Sequence, residues 1–325
     1  MHFSELYHQF FPLTVDGLTI GAIYALVALG YTLVYGVLRL INFAHSEVFM
    51  VGTFGALWAT RWMGIPITTP GSLHSGLPLI LILIGVVLVA MAFSGGTAVL
   101  LERIAYRPLR KRGATRLAAL ISAIGASIFL QELFGQTWFG HRFHIGVRTF
   151  TPFPRLFRKT HHIVGKADFR SDKILVLVAA VVMMVVLDRF VATTRLGRGI
   201  RAVAQDAETA ALMGVNIDRV VTVTFLLGGI MAGAAGALYL VFFENTLNTI
   251  GFLLGIKAFT AAVLGGIGNL RGALMGGLFL GLLENYGASI FGSQWKDVIS
   301  FTVLVLVLMI RPTGLLGEAI AKARA

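Results

Sequence analysis

Three polar side chains that follow the first long apolar run are the first candidates for chemistry. Asn42, His45 and Glu47 lie in the stretch RLINFAHSEVFM, residues 39–50. On a helix, Asn42 and His45 would share a face, whereas Glu47 would point elsewhere. Ionisable groups beside or within apolar segments are typical of a substrate pathway or gate. The alternative is a capped helix start, with Asn42 or Ser46 as the cap.

The residue types do not support a metal site or a catalytic centre. His45 has no second ligand at the spacing of a metal-binding helix, so we predict no metal. The chain contains no cysteine, which excludes thiolate and disulfide chemistry. It also has no HExxH motif, no nucleophile–base pair, no paired carboxylates on one helix face and no GxxxxGK[ST] loop. We therefore expect a protein that is not an enzyme, binds no cofactor and does not hydrolyse ATP unaided.

A glycine-rich run late in the chain is a second candidate. Gly265, Gly266 and Gly268 are followed by Asn269 in VLGGIGNLRGALMGG, residues 263–277. Clustered glycines disfavour a regular helix, so we predict a break or a tight turn. A helix broken at membrane depth would line a cavity or pack on protein. The alternative is the turn between two helices. These four residues join Asn42, His45 and Glu47 as candidates for a translocation pathway.

Residues 189–219, here called the interlude, form a long polar stretch between two apolar runs and contain five arginines. Asp206 is a favourable N-cap and Gly214 a favourable residue just beyond a helix C-terminus, which predicts a short helix between them. Small residues at i, i+3, i+4 and i+7 leave one face of that helix without bulk: Ala207, Ala210, Ala211 and Gly214. A smooth face on a solvent-side helix predicts close contact with another protein.

The elements that position these residues are apolar runs long enough to span a membrane. The chain is 57% hydrophobic and 13% charged, and about twenty apolar residues span the hydrocarbon as a helix. We predict eight or nine elements, depending on whether 41–62 crosses fully: 13–38, 41–62, 77–101, 117–138, 173–191, 220–243, 250–268, 272–291 and 297–311. Continuous rather than alternating runs exclude a barrel. The fold class is therefore an all-α polytopic membrane protein, one domain over 1–325.

Basic residues predict the orientation of these elements. Short loops rich in Lys and Arg remain cytoplasmic, which places 103–116, the interlude and the C-terminal tail inside. With nine crossings the N-terminus and the loop 139–172 lie outside, although that loop is also basic. The net charge of +12 is the ordinary companion of membrane spans, so we expect lipid and no nucleic acid as a partner.

Glycine pairs at GxxxG spacing predict close helix packing, because small residues let backbones approach where no hydrophobic effect operates between helices. The alternative is that the helices slide or tilt at these positions during transport. The pairs are Gly17/Gly21, Gly229/Gly233, Gly251/Gly255, Gly272/Gly276 and Gly277/Gly281.

The chain resembles the LivH-type permeases of bacterial branched-chain amino acid ABC importers. Three motifs, in the family's order, carry the resemblance: DGLTIGAIYALVALGYTLVYGVLRLINFAH from residue 16, LGRGIRAVAQDAETAALMGVNIDR from residue 196 and AAVLGGIGNLRGALMGG from residue 261. The resemblance implies a multi-pass permease of the bacterial inner membrane. Its implied partners are a second, related permease, cytoplasmic ATP-binding subunits and a periplasmic binding protein.

The resemblance also implies a role for the interlude helix. ABC importer permeases present a Glu-Ala-Ala-x-x-x-Gly loop to the ATPase, and Glu208, Ala210 and Gly214 match it. Thr209 replaces the middle alanine. The downstream Ile-x-Leu-Pro of the wider pattern is retained only at Leu226. The residues implied in ATPase coupling are Ala207, Glu208, Ala210, Ala211 and Gly214.

Two other functions remain open at this point. An ion-coupled secondary transporter would use similar helices, but it is expected to carry acidic groups deep in the spans, and the mid-span positions read as almost all apolar or glycine. A related permease for urea or short amides is the other alternative. The sequence does not decide between these substrates and aliphatic amino acids.

Overall fold

The computed structural model describes residues 3–65, 77–143, 146, 148–156, 161–164, 167–311 and 313–317. Its helices are α1 (Phe3–Leu38), α2 (His45–Trp62), α3 (Leu77–Leu101), α4 (Arg107–Lys111), α5 (Arg116–Gly135), α6 (Thr137–Phe143), α7 (Ser171–Thr193), α8 (Arg195–Gln205), α9 (Ala207–Leu212), α10 (Ile217–Phe243), α11 (Ile250–Gly265), α12 (Leu270–Phe291) and α13 (Lys296–Ile310). A π-helical segment, Glu102–Tyr106, joins α3 to α4. Two antiparallel pairs of short strands occur: β1 (Thr151–Pro152) with β4 (Asn245–Thr246), and β2 (His161–Val164) with β3 (Ala167–Arg170).

The all-α polytopic fold is confirmed. Within the described ranges, seven helical stretches are long and apolar enough to cross a membrane: Gln9–Leu38, Leu77–Lys111, Arg116–Gly135, Asp172–Thr193, Ile217–Phe243, Leu270–Phe291 and Ser293–Ile310. The other two predicted elements are helices as well, namely α2 and the shorter α11. All nine predicted apolar runs therefore contain a helix.

The helices α2 and α11 begin inside the bundle rather than at its surface. His45, the first residue of α2, lies against Gly30 of α1 and Gly228 of α10. Gly30 is about 12 Å along the axis from the end of α1 at Leu38, at 1.5 Å per residue. Residues 39–44, which lead to α2, are not helical. The start of α11 contacts α2 in turn, because Gly251 lies against Ser46 and Glu47.

Glycine contacts confirm the predicted close packing. A Cβ atom on Gly281 of α12 would lie only 2.4 Å from the Cα of Gly21 in α1. A Cβ atom on Gly233 of α10 would likewise lie 2.7 Å from the Cα of Met91 in α3. The bundle centre consists of α1, α2 and α10, with α12 on α1 and α3 on α10. Exposed aliphatic side chains cover α3, α5, α7 and α13, as expected of helices that face lipid.

Contacts between connections group the helix ends into two sets. Arg39, after α1, donates to the carbonyls of Ala204 and Gln205 at the end of α8. Arg110 in α4 pairs with Asp218 at the start of α10. The interlude, the connection 102–115 and the end of α1 therefore share one end of the bundle. The tail residues 318–325 lie outside the described residues.

The opposite end of the bundle is formed by the loop 139–172 and the connection from α10 to α11. Arg155 makes a bidentate ion pair with Glu244, at 2.8 Å and 2.6 Å, and β1 pairs with β4. Trp58 of α2 donates to the carbonyl of Phe143. Residues 144–145, 147, 157–160 and 165–166 of this loop lie outside the described residues. The observed grouping of the ends agrees with an odd number of crossings; its orientation in the membrane stays a prediction.

Candidate functional site: the interlude helix and the buried polar cluster

The short helix predicted in the interlude is present as α9. The Asp206 carboxylate accepts hydrogen bonds from the backbone N–H of Glu208 (2.9 Å) and of Thr209 (3.2 Å) and from the Thr209 hydroxyl (2.6 Å). These bonds lower the pKa of Asp206, the Thr209 hydroxyl contributing most. Gly214 ends the helix at a φ of +83°, a conformation that glycine adopts without a steric penalty. The predicted cap and stop are therefore both confirmed.

The small face of α9 is divided between the chain itself and solvent. Ala210 is buried, with 4% of its surface exposed, and Ala207 is half-buried because α9 packs on α8 and α10. Glu208, Ala211 and Gly214 are exposed. The residues implied in ATPase coupling thus comprise an inner pair that seats the helix and an outer set available to a partner.

Two large apolar residues at the end of this helix were missed by sequence reasoning. Leu212 is 87% exposed and Met213 is 80% exposed, and they lie between Ala211 and Gly214 in the chain. Apolar side chains that project into solvent at the end of the bundle have no stabilising role within the chain. The sequence did offer a signal for this exposure: both residues directly precede Gly214, which ends the helix, within a polar segment. They extend the candidate docking face beyond the small residues.

A second helix in the interlude also escaped sequence reasoning. Thr194 caps α8 by accepting a hydrogen bond from the Gly197 N–H at 2.9 Å. Arg201 of α8 donates back to the carbonyl oxygens of Val191 (2.6 Å) and Ala192 (3.0 Å) at the end of α7. Together with the bonds from Arg39 to the end of α8, these contacts hold the interlude against the membrane helices. α8 is therefore bonded to the ends of both α1 and α7.

The start of α10 is tied to the π-helical segment and α4 by a cluster of charges. Arg110 pairs with both Glu102 (3.3 Å) and Asp218. Glu102 is fully buried, and it also accepts from the Thr222 hydroxyl at 3.1 Å. α9 is thus followed by α10, whose start is anchored to the π-helical segment and α4.

Asn42 and His45 are both buried in the structure, but neither caps α2. The Asn42 Oδ1 accepts a hydrogen bond from the Tyr106 hydroxyl at 2.7 Å. The His45 ring packs edge-on against Tyr31, with ring centroids 4.8 Å apart. The N-cap residue of α2 is Ala44, without a side-chain cap bond, and the Ser46 hydroxyl donates to the Phe43 carbonyl. The capped-start alternative is therefore wrong in its choice of cap.

Glu47 is the most unusual member of the cluster because its carboxylate is fully buried. Its Oε1 accepts from the Ser127 hydroxyl at 3.4 Å and from the Ser46 hydroxyl at 3.5 Å. Its Oε2 has no hydrogen-bond partner among the described residues. The sequence-based expectation that mid-span positions are almost all apolar or glycine is wrong here, and also at Lys257 and Glu284.

The glycine-rich run forms the turn between α11 and α12. Asn269 caps α12 by accepting from the backbone N–H of Arg271 and Gly272, and its side-chain amide donates to the Leu316 carbonyl at 2.9 Å. Gly266 and Gly268 have φ of +108° and +97°. Gly265 packs directly on the backbone of Gly272. These contacts support the turn alternative, although Gly268 and Asn269 also line a cavity of 480 Å³.

The candidate pathway residues do not form one site. A narrow cavity brings Asn42 near Ile267 of the glycine turn. Glu47 lies elsewhere, between α2, α5 and α11. Asn42 lies towards the interlude end of the bundle. Glu47 lies against α5, through its contact with Ser127.

The chain matches the family model described as branched-chain amino acid transport system, permease component, over residues 13–308. It is 41% identical to the high-affinity branched-chain amino acid transport system permease protein LivH of Salmonella typhimurium, over 97% of this chain and 98% of that protein. It is 41% identical to BraD of Pseudomonas aeruginosa, a permease protein of a system with the same description, over 97% of each chain. It is 40% identical to LivH of Escherichia coli K12 over 97% of this chain and 98% of the relative.

Proposed function

The chain belongs to the family of permease components of branched-chain amino acid transport systems, and we propose that it is a translocating subunit of an ATP-driven importer for aliphatic amino acids. It is a multi-pass membrane permease rather than an enzyme. The whole chain acts as one permease domain in the bacterial inner membrane. A binding protein delivers substrate at the end formed by loop 139–172, and ATP-binding subunits act at the interlude end.

The partners follow from this assignment. A second, homologous permease completes the pathway, because the chain alone leaves apolar surface exposed on α5 and α11, for example at Ile128 and Phe252. Cytoplasmic ATPase subunits supply the energy, because the chain has no phosphate-binding loop. The lipid bilayer covers the remaining aliphatic faces.

One observation supports docking of the ATPase at α9. Leu212 and Met213 project almost entirely into solvent beside the exposed Ala211 and Gly214, although α9 lies in a basic, polar segment. Exposed apolar side chains beside small residues are typical of protein–protein contact sites. Glu208, on the same short helix, completes the implied coupling set. The inner residues Ala207 and Ala210 let α9 lie close to α8 and α10.

The buried acids do not by themselves distinguish an importer driven by ATP from a secondary transporter. Glu284 is neutralised by Lys257, but Glu47 has no cationic partner among the residues that the structure describes. Urea and short amides remain the alternative substrates.

The test is uptake by liposomes that contain this chain, its companion permease and the ATPase subunits. We expect uptake of radiolabelled leucine, isoleucine or valine only when ATP is on the side of the ATPase subunits and the binding protein is on the opposite side. Uptake by this chain alone under a proton or sodium gradient, abolished by an ionophore, would establish the secondary transporter instead. Uptake of urea or acetamide in place of leucine would reassign the substrate.

A further inference from the structure

Glu47 occupies a position where a carboxylate is costly unless something uses it. The side chain is fully buried in the first turn of α2, and α2 begins beside Gly30, inside the bundle. No described Lys, Arg or His nitrogen lies within ion-pair distance of it. Only two long hydroxyl contacts reach Oε1, and Oε2 has none. A buried charge without a partner destabilises a protein strongly.

The two other buried glutamates, Glu102 and Glu284, both have cationic partners within the chain. Glu102 has Arg110, Arg107 and the Thr222 hydroxyl around it. Glu284 accepts from Lys257, Tyr24 and Ser300. Glu47 differs from both because the described residues supply it with no cation. A cation from outside the chain would complete its surroundings.

A cavity of 250 Å³ lies on the far side of Ser46 and Ser127, the two residues whose hydroxyls contact the Glu47 carboxylate. Ser46 and Ser127, which contact the carboxylate, form its polar wall, together with Tyr31 and Gln131. Its remaining walls are aliphatic and aromatic, among them Ile124, Ile128, Phe252 and Ile256. The volume is just below the range of about 300–1,000 Å³ typical of sites for drug-sized ligands, so it suits a smaller solute.

α5 is the most loosely packed of the helices that form this site. α5 packs on α2, α6 and the π-helical segment but makes little contact with α11. Ile124 and Ile128 on α5 and Phe252 on α11 are 42%, 55% and 55% exposed and form the mouth of the cavity. Separation of α5 from α11 would open the cavity to Oε2 of Glu47, which now faces Gly251.

We infer that the Glu47 carboxylate receives the α-ammonium group of the transported amino acid while the aliphatic residues of the adjacent cavity receive its side chain. The inference rests on the proposed function and assigns a specific contact within it. A zwitterionic amino acid with an aliphatic side chain presents a cationic donor and an apolar branch a few atoms apart. Ile124, Ile128 and Ile256 line the cavity, and the Glu47 carboxylate lies behind its polar wall, in contact with Ser127.

The experiment compares Glu47→Gln with the unaltered protein in liposomes that contain the full importer and binding protein. Both uptake of radiolabelled leucine and ATP hydrolysis are measured, and the result is leucine transported per ATP hydrolysed. Loss of a hydrogen bond to a charged group typically corresponds to about ten- to hundredfold. We expect leucine per ATP to fall by about tenfold or more, with stimulation of ATP hydrolysis by the binding protein retained. Glu47→Asp keeps the charge and should retain part of the transport.

The matched control is Glu132→Gln on α5, the same substitution at an exposed ion pair with Arg148, for which leucine per ATP should be unchanged. Ser127→Ala removes one hydroxyl that holds the carboxylate and should lower leucine per ATP by a smaller factor. If Glu47→Gln fails to assemble into the importer, Ser127→Ala provides the test in its place.

The outcomes separate this inference from the proposed function. If the unaltered importer takes up leucine and Glu47→Gln does so with the same yield per ATP, the ammonium site is wrong and the proposed function stands. A parallel loss of uptake and ATPase stimulation in Glu47→Gln and Ser127→Ala would make Glu47 a structural residue and would also overturn the inference. If the unaltered importer takes up no aliphatic amino acid, both are wrong.

Discussion

Lys257 Nζ lies 2.8 Å from Oε1 of Glu284, and both side chains are buried where α11 meets α12. The same ammonium group contacts Asp297 at 2.7 Å. Glu284 Oε2 accepts from the Tyr24 hydroxyl at 3.0 Å and from the Ser300 hydroxyl at 3.3 Å. One polar cluster therefore joins α1, α11, α12 and α13. Because a lysine inside a membrane bundle needs a carboxylate partner, this cluster also fixes the register of α11 on α12.

Replacement of Lys257 by methionine is expected to destabilise the bundle. The substitution keeps a long, flexible side chain but leaves Glu284 buried without its cation. Removal of one member of a buried ion pair typically costs about 3–5 kcal/mol. The measurement is the Tm of the detergent-solubilised chain. Arg148→Met provides the control, because its partner Glu132 is exposed and surface pairs contribute about 0–1 kcal/mol. Equal Tm values for the two variants would contradict the assignment.

The crossing of α1 and α12 is expected to tolerate no added side chain. A Cβ on Gly281 would lie 2.4 Å from the Gly21 Cα and from the Gly17 carbonyl. Because both neighbours are backbone atoms, Gly281→Val must separate the helices, and overpacking typically costs about 1–3 kcal/mol. Gly96→Val on α3 is the control, because no atom lies within 4 Å of its Cβ position. Thermal unfolding should show a lower Tm for Gly281→Val than for Gly96→Val, and the reverse order would refute the close crossing.

Local signals were enough to predict most of the fold. Each of the nine predicted apolar runs contains a helix, seven of which are long and apolar enough to cross a membrane, because in lipid a long apolar segment satisfies its backbone only as a helix. Asp206 and Gly214 correctly bounded α9, since capping depends on residues within one turn. α8 was not predicted. Its N-cap Thr194 directly follows the last residue of α7, so no turn sequence separates the two helices.

Contacts between distant elements could not be predicted in the same way. The small face of α9 is visible in the sequence, but packing on α8 and α10 decides that Ala210 faces inward and Leu212 outward. Lys257 and Glu284 are 27 residues apart, and nothing local indicates that they meet. Glu47 reads as a residue near a helix start, and only the fold places that start inside the bundle.

The orientation of the bundle is expected to follow the basic connections. Arg112 and Arg198 are exposed at the interlude end, and Phe150 is 67% exposed at the opposite end. Single cysteines at these positions in the cysteine-free chain can be probed with a membrane-impermeant thiol reagent on spheroplasts. Only Phe150→Cys should react before lysis, because Lys- and Arg-rich short loops stay cytoplasmic. Labelling of Arg198→Cys in intact spheroplasts would invert the orientation.

The Asp206 cap is expected to support coupling through its oxygen atoms rather than through its charge. Asn is as good an N-cap as Asp, whereas Ala is poor, so Asp206→Ala should reduce stimulation of the ATPase by the binding protein and Asp206→Asn should retain most of it. Stimulation by the loaded binding protein, measured in the reconstituted importer, checks this order. If Asp206→Asn is as impaired as Asp206→Ala, charge rather than capping is the cause.

The pH dependence of this cap follows from the sign of its pKa shift. Hydrogen bonds from Thr209 lower the pKa of Asp206 in the folded protein. The contribution of the carboxylate is therefore fully present above the ordinary pKa of aspartate, about 3.9, and it is lost only as the pH falls through the lowered pKa. The deficit of Asp206→Ala in ATPase stimulation should accordingly stay constant between about pH 5.5 and 8. A deficit that disappears towards pH 5.5 would contradict the lowered pKa.

The outer residues of α9, rather than its buried ones, are expected to decide binding of the ATPase. Met213 is 80% exposed, so Met213→Asp should leave the fold intact while placing a charge in the docking contact. An apolar contact replaced by an unpaired buried charge weakens binding by several kcal/mol. We therefore expect Met213→Asp to retain the Tm of the isolated permease and to lose co-purification with the ATPase subunits. Ala210→Arg should instead lower the Tm, because Ala210 packs within the chain. Normal co-purification and normal ATPase stimulation of Met213→Asp would exclude this face of α9 as the docking site.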